Sequence, residues 1–374
     1  MTTTSQRLAT PVDSLTRIAS GVSDFVDRQL ATAPVYGTHY ARLWQLTAQT
    51  VVGGKMVRPR LMIDATTALV ADAPGPGIDE DTVVNAAVAI ELLHYAFVLH
   101  DDVIDGDLVR RGRPNLVAAV AAEHPHGAMD STNARAHLGG ADPALHLGHT
   151  AAILMGDLFL SGMYQTIARL DVPPAARDRL FAIVDHTIGE TVAGEYVDVA
   201  LADGAIEPEL ATIVGMAANK TAAYSFELPL RTAAVLAGAP LAVEDELARV
   251  VRHLGLAFQL QDDLLSVFGD PARHGKDPNS DLREGKETAL MAFARMTSAW
   301  AEISPLVGRE DLSDRDAERV RAALEECGAR RFVDGLVDDS LDAFREGCRP
   351  SRFISSRVAR VLLAAADALE ERQS

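Results

Sequence analysis

Apolar residues recur at spacings of three and four through most of this chain, and no run alternates with period two. Helices are therefore the elements able to bury its hydrophobic side chains. The pattern covers segments near 13–32, 38–50, 57–71, 80–104, 149–170, 175–201, 208–237 and 243–268, and from about 289 onward the chain reads as further amphipathic helices. Between segments stand stretches rich in Gly, Pro, Asp or Asn: ADAPGPGIDED, DVPPAA, LADGAIEPE and GDPARHGKDPNSD. Connections this short predict antiparallel neighbours. The expected fold class is all-α. At 374 residues, length alone allows either two domains or one large helical domain.

With 48% hydrophobic residues and only 5% aromatics, the core is built mainly from helix formers such as Ala and Leu. The formal charge of -18 argues against a nucleic-acid partner, since phosphate binding needs a basic face. An anionic substrate would have to meet local positive charge or bound metal. Cys327 and Cys348 lack metal-ligand spacing, which disfavours a zinc site or a disulfide scaffold and suits a reducing cytoplasm. The N-terminal MTTTSQRLATPVDSL has no hydrophobic signal core, and Glu91 and His94 interrupt the longest apolar stretch, so no transmembrane segment is expected. Five of eleven histidines (His124, His126, His137, His146, His149) fall between Ala121 and Thr150 among Gly, Pro and Ala. Their spacings match no tetrahedral metal signature, so residues 121–148 are expected to be a solvated loop insertion.

The chemistry-bearing stretch is LLHYAFVLHDDVIDGDLVRRG, Leu92 to Gly112. On a helix, Asp101 and Asp105 lie one turn apart on the same face, with Asp102 beside them. Carboxylates that close repel, and a hard divalent cation resolves the repulsion. Oxygen-only ligands favour Mg²⁺ that keeps several waters and takes further ligands from substrate phosphates. A second site stands at GLAFQLQDDLLSVFGDP, where Asp262 and Asp263 close another apolar helix and Gln259 sits near them on the helix. Two such helices facing each other would clamp a diphosphate between metal ions. Lys55, Arg58, Arg110, Arg111, Lys220 beside Thr221, Lys276 and Lys286 fall at helix ends or in loops. Together they are too many for one diphosphate and suggest two.

In order along residues 50 to 290, the stretches GGKMVRPRL, ELLHYAFVLHDDVIDGDLVRRGRP, GDLFL, GEYVDV, KTAAYSFELPL, GLAFQLQDDLL and GKDPNSDLREGKETAL resemble the trans-isoprenyl diphosphate synthases, the polyprenyl synthetase family. The resemblance implies one all-α domain (1–374) around a deep central cavity, antiparallel helices, and a homodimer. It implies that Asp101 and Asp105 ligate two Mg²⁺ and Asp262 a third, with Asp102 and Asp263 as supporting carboxylates. Lys55, Arg58, His94 and Arg111 would hold isopentenyl diphosphate. Arg110, Lys220, Thr221, Gln259, Lys276 and Lys286 would hold the allylic diphosphate. The residues expected to carry catalysis are Asp101, Asp102, Asp105, Asp262, Lys220, Thr221 and Gln259. By the same resemblance the allylic carbon ionises, the isopentenyl double bond attacks it, and the released diphosphate takes the proton.

The second site departs from the family pattern: DDLLS places Ser266 where an aspartate usually stands. Asp262, Ser266 and Asp270, spaced by four, are similar to the metal triad of class I terpene cyclases. A cyclase needs no second diphosphate site, and the isopentenyl cation set is complete here, which favours elongation. A non-catalytic subunit of a heteromeric synthase is the alternative of another class, and the complete first site opposes it. Chain length is expected to depend on Phe97, Ala96 and Leu93 as the cavity floor, since one helical turn of roughly 5.4 Å matches one prenyl unit. The expected product is C20, geranylgeranyl diphosphate, with C15 as alternative.

Overall fold

A computed structural model describes residues 11–51, 56–72, 78–124, 142–269, 279–309 and 311–370. Lys55, Lys276, Asp270, His126 and His137 lie outside the described residues. The chain runs through α1 (Pro11–Thr32), α2 (Thr38–Thr50), α3 (Val57–Asp72) and α4 (Glu80–Ile104). Two-residue strands β1 (Val109–Arg110) and β2 (Arg113–Pro114) follow, then α5 (Leu116–Ala122), α6 (Pro143–Ala168) and α7 (Pro174–Ala202). Next come α8 (Leu210–Ala222), α9 (Leu228–Leu236), α10 (Leu241–Phe268), α11 (Ser280–Glu284) and α12 (Ala289–Arg295). The chain continues with α13 (Trp300–Ile303), α14 (Asp314–Glu326), α15 (Ala329–Gly347) and α16 (Ser356–Glu370).

The all-α expectation holds, with three local differences. The pattern at 208–237 reads as one helix, but a π-helical turn at Ala223–Glu227 divides it, and the Leu228 N–H reaches back to the Ala223 carbonyl. Pro229 explains the break: its ring would meet the carbonyl four residues earlier in a regular helix. The expected loop at 121–148 is partly helical, because α5 ends at Ala122 and α6 begins at Pro143, with the Asp142 carboxylate accepting from the Ala144 N–H at 2.9 Å. Finally, Val109 and Arg110 pair with Pro114 and Arg113 in a small ribbon where no strand was expected. Its turn, Arg111 and Gly112, has φ of 55° and 71°, the left-handed pair that a two-residue hairpin requires.

The described residues form two compact units. In the first (Met1–Ile63 and Ile78–Arg177), α4 packs along α6 and against α1, while α5 lies on α6. The Asp79 carboxylate accepts from the Thr82 N–H at 3.1 Å, and Glu80 and Asp81 complement the helix dipole, which fixes where α4 starts. Gly106, at φ 70°, ends it. Phe25, Trp44, Tyr95 and Phe159 form an aromatic cluster beside α4, with Phe25 and Phe159 centroids 5.4 Å apart. Phe159 is fully buried, worth about 1.5–3 kcal/mol relative to exposure.

By length and composition α4 and α6 would suffice to cross a membrane, but the apolar window of α4 is 78% buried inside the protein, as a core helix is. For α6 the figure is 44%.

In the second unit (Asp64–Gly77 and Asp178–Ser374), α10 is the axis, contacted by α8, the π-turn, α9 and α15. Its first turn carries Glu244, buried and held by Arg179 and by Arg231 at 2.9 Å. A small apolar cluster of Leu201, Ile213, Met216 and Ala292 joins α7, α8 and α12.

Candidate active site

The first aspartate site closes α4. Asp101 and Asp105 stand one turn apart, the Asp105 N–H donating to the Asp101 carbonyl at 2.8 Å, and each offers a carboxylate oxygen within 4.8 Å of the other's. That spacing suits a hard divalent cation, so the donor set fits Mg²⁺. Asp102 turns inward and is 2% exposed. Its carboxylate receives Arg110 Nε at 2.7 Å, and Arg110 also reaches Asp101 at 3.1 Å. Burial raises the Asp102 carboxyl above its ordinary range, and the Arg110 charge works against that rise. Asn115 closes the ribbon over this group: its side chain donates to the Asp107 carbonyl at 2.6 Å and caps α5 through the Ala118 N–H. Asp102 is thus a buried carboxylate paired with arginine.

Two turns up α4 is His94, partly buried, with Glu91 one turn further. Burial first, then the charges of Arg58, Arg111 and Arg110, hold the His94 imidazole well below its ordinary 6.5. Burial pushes the Glu91 carboxyl up, while Arg58 and Arg111 pull it down. Arg58, His94 and Arg111, three of the four residues expected to hold isopentenyl diphosphate, therefore share one electrostatic neighbourhood. Glu91 contributes a buried carboxyl group to it, which the sequence alone does not reveal. As pH falls through about 6.5 the unfolded chain takes up a proton at this histidine and the folded chain does not, so folded stability is lost on acidification. His94→Gln should flatten the decline of the thermal midpoint between about pH 6.5 and 5; an unchanged slope would place the acid sensitivity elsewhere.

Of the residues expected to form the floor, Leu93 and Ala96 are each 1% exposed, and Phe97 is partly exposed. Only Phe97 has a face outside the packed core of its unit.

The second aspartate site closes α10. Asp262 is partly exposed and Asp263 is 5% exposed, so the outer and inner arrangement of Asp101 and Asp102 recurs. Burial pushes Asp263 up to about 7, with Lys286 and the Gln259 hydrogen bond opposing the shift. Gln259 Nε2 donates to Asp263 at 2.9 Å, and its carbonyl accepts from the Thr221 hydroxyl. Gln259, Thr221 and Asp263 thus form one hydrogen-bonded chain that fixes the orientation of the Gln259 amide. Ser266 is partly exposed one turn beyond Asp262.

Lys220 lies at the end of α8, just before the π-turn. Its ammonium meets Asp198 at 2.8 Å and Glu195 at 2.9 Å, both from GEYVDV on α7. Nothing in the spacing of that stretch distinguishes either carboxylate from a solvated one. The π-turn itself is anchored by Glu227, buried and bonded to Arg252 Nε at 2.6 Å. A widened turn next to functional side chains is a common use of this geometry.

The polyprenyl synthetase family model matches residues 41–326. The chain belongs to the polyprenyl synthetase family. It is 32% identical over 288 residues to a (2E,6E)-farnesyl diphosphate synthase of Mycobacterium tuberculosis, covering 75% of this chain and 69% of that one. It is 27% identical over 342 residues to a geranylgeranyl diphosphate synthase of Methanosarcina mazei, covering 91% of each. Among solved structures, a geranylgeranyl pyrophosphate synthase of Corynebacterium glutamicum, complexed with isoprenyl diphosphate and magnesium, superposes with a TM-score of 0.84 at 27% identity, covering 95% of this chain and 97% of that one. The fold is therefore the all-α isoprenyl synthase fold, and this polyprenyl synthetase is a trans-prenyltransferase of the short-chain type.

Proposed function

We propose that this polyprenyl synthetase condenses isopentenyl diphosphate with an allylic diphosphate to an all-trans C20 product, geranylgeranyl diphosphate. The observation that carries the reading is the repeated aspartate arrangement: each of α4 and α10 ends in an outer, partly exposed carboxylate and an inner, buried one with its own polar partner. Outer carboxylates stand where a cation can reach them, and inner ones are held by polar partners within the protein. Asp101 and Asp105 are read as ligands of two Mg²⁺ and Asp262 of a third. Bound Mg²⁺ supplies positive charge to a leaving diphosphate.

Arg58, His94 and Arg111, with Lys55, are read as the isopentenyl diphosphate set. Arg110, Lys220, Lys276 and Lys286 serve the allylic diphosphate. The Thr221 hydroxyl and the Gln259 carbonyl present oxygen dipoles that favour an allylic cation, and the apolar helix faces keep water from it. No nucleophilic side chain is needed. In line with the family resemblance, the chain is read as a single prenyltransferase domain, a cytoplasmic homodimer that binds no nucleic acid.

The C20 assignment draws support from the geranylgeranyl diphosphate synthases among its relatives, one aligned over 91% of both chains. A C15 product is the second reading, favoured by the farnesyl diphosphate synthase at 32% identity. Chromatography of products from isopentenyl diphosphate with C5, C10 and C15 primers separates the two: accumulation of C20 from every accepted primer supports the first, and arrest at C15 the second. Phe97→Ala should lengthen the product by about one prenyl unit, since it removes a side chain that fills roughly one helical turn. An unchanged product distribution would remove Phe97 from the floor.

A further inference from the structure

From about residue 291 the chain carries none of the motifs quoted above, yet its helices hold the end of the second aspartate helix. α10 has no basic residue in its last turn, and the final carbonyls of any helix lack an intrahelical partner. Arg321 on α14 supplies one: its Nε donates to the Val267 carbonyl at 2.6 Å. A cation at this end also opposes the partial negative charge of the helix dipole. The Nη2 of the same guanidinium donates to the side-chain oxygen of Asn279, whose amide nitrogen donates to Asp314 at 2.9 Å. Val267 is 1% exposed and Asn279 3%, so the fork joins two buried points.

Asn279 opens the segment that leads through α11 to Lys286, and that segment is held again where the Gly308 N–H donates to the Leu282 carbonyl at 2.9 Å. Arg330 on α15 adds a second contact, its guanidinium 4.8 Å from the centre of the Phe268 ring. One planar fork thus joins the end of the helix that carries Asp262 and Asp263 to the start of the segment that carries Lys286. Lysine has donors enough but carries them on one nitrogen, without the planar fork that here spans two separate acceptors.

We propose that Arg321 is a positioning residue for the allylic diphosphate half of the reaction, fixing the second aspartate site and Lys286 in register. The proposal rests on the diphosphate chemistry given under Proposed function. The test compares wild-type protein with Arg321→Gln and Arg321→Lys by steady-state kinetics for each substrate at saturating Mg²⁺, and by amide hydrogen exchange. Losing a charge-assisted fork should raise KM for the allylic diphosphate by about tenfold and leave that for isopentenyl diphosphate within about twofold. Exchange should quicken at residues 264–268 and 281–287, and Arg321→Lys should recover only part of the loss. Equal rises in both KM values in step with a falling thermal midpoint would reduce Arg321 to a general stabiliser, and unchanged exchange at those amides would overturn the bracket. Inactive wild-type protein would count against the functional reading, while the exchange result still judges the bracket.

Discussion

On the proposed reaction, Asp101→Asn should lower kcat by about 10³-fold while leaving the fold intact, because it would delete one electrostatic contact at the centre where charge develops. Asparagine keeps the shape of the side chain and removes the charge. The position is partly exposed, one turn from Asp105, and its partner Arg110 retains Asp102 at 2.6 Å. The thermal midpoint should hold steady or rise, since one of two mutually repelling carboxylates is gone. Asp102→Asn should behave differently. That carboxylate is 2% exposed and receives Arg110, so its loss leaves a desolvated guanidinium short of its anion and costs stability as well as turnover. Asp107→Asn is the control: its carboxylate is 42% exposed and 3.9 Å from Arg110, so rate and midpoint should stay near wild type. Thermal melts alongside diphosphate-release assays check all three. Equal losses at 101 and 107 would contradict an assigned role for Asp101.

The second large effect belongs to a residue without chemistry. A Cβ on Gly194 would stand 2.6 Å from the Lys220 backbone nitrogen and 2.8 Å from its Cα, and a Cβ on Gly255 would meet Ala222 just as closely. These are backbone approaches that no side-chain rotation relieves. α7 and α10 thus grip the end of α8 at the residues flanking Thr221. Gly194→Ala should cost about 1–3 kcal/mol from overpacking. On the proposed roles of Lys220 and Thr221 it should also reduce kcat by about 10²-fold, since displacing a substrate-binding side chain by about 1 Å costs that much. Gly189→Ala, on the same helix with nothing within 4 Å of the added carbon, should gain up to about 1 kcal/mol from helix propensity and leave kcat unchanged. Loss of activity from both variants would show that α7 does not position Lys220 through Gly194.

Those glycines mark the limit of what the sequence reveals. Periodicity placed α2, α3 and α4 almost to the residue, because an apolar face must repeat with the turn of the helix that carries it. It also placed both aspartate pairs in the last two turns of their helices, α4 ending at Ile104 and α10 at Phe268. The π-turn escaped, although Pro229 four residues after Ser225 is a local cue for it. Glu195 and Asp198 escaped for another reason: a carboxylate on an amphipathic helix reads as solvated until Lys220, more than 20 positions away, is found against it. Glu91 reads in sequence only as an interruption of an apolar run, and the charges of Arg58 and Arg111 that act on it come from other elements. Arg321 is the extreme case, because its partners lie 54 and 42 residues away. Side-chain partnerships across such distances leave no spacing to read.

Diphosphate release by the purified chain is the most direct measurement of the proposed reaction. The protein is incubated with Mg²⁺ and isopentenyl diphosphate, an allylic diphosphate, or both, with and without a chelator. Release should require both substrates and metal together, with an all-trans prenyl diphosphate as the product. Release from the allylic diphosphate alone with a hydrocarbon product would mark a cyclase, and no release under any condition would mark a subunit that needs a partner; either result contradicts the proposal.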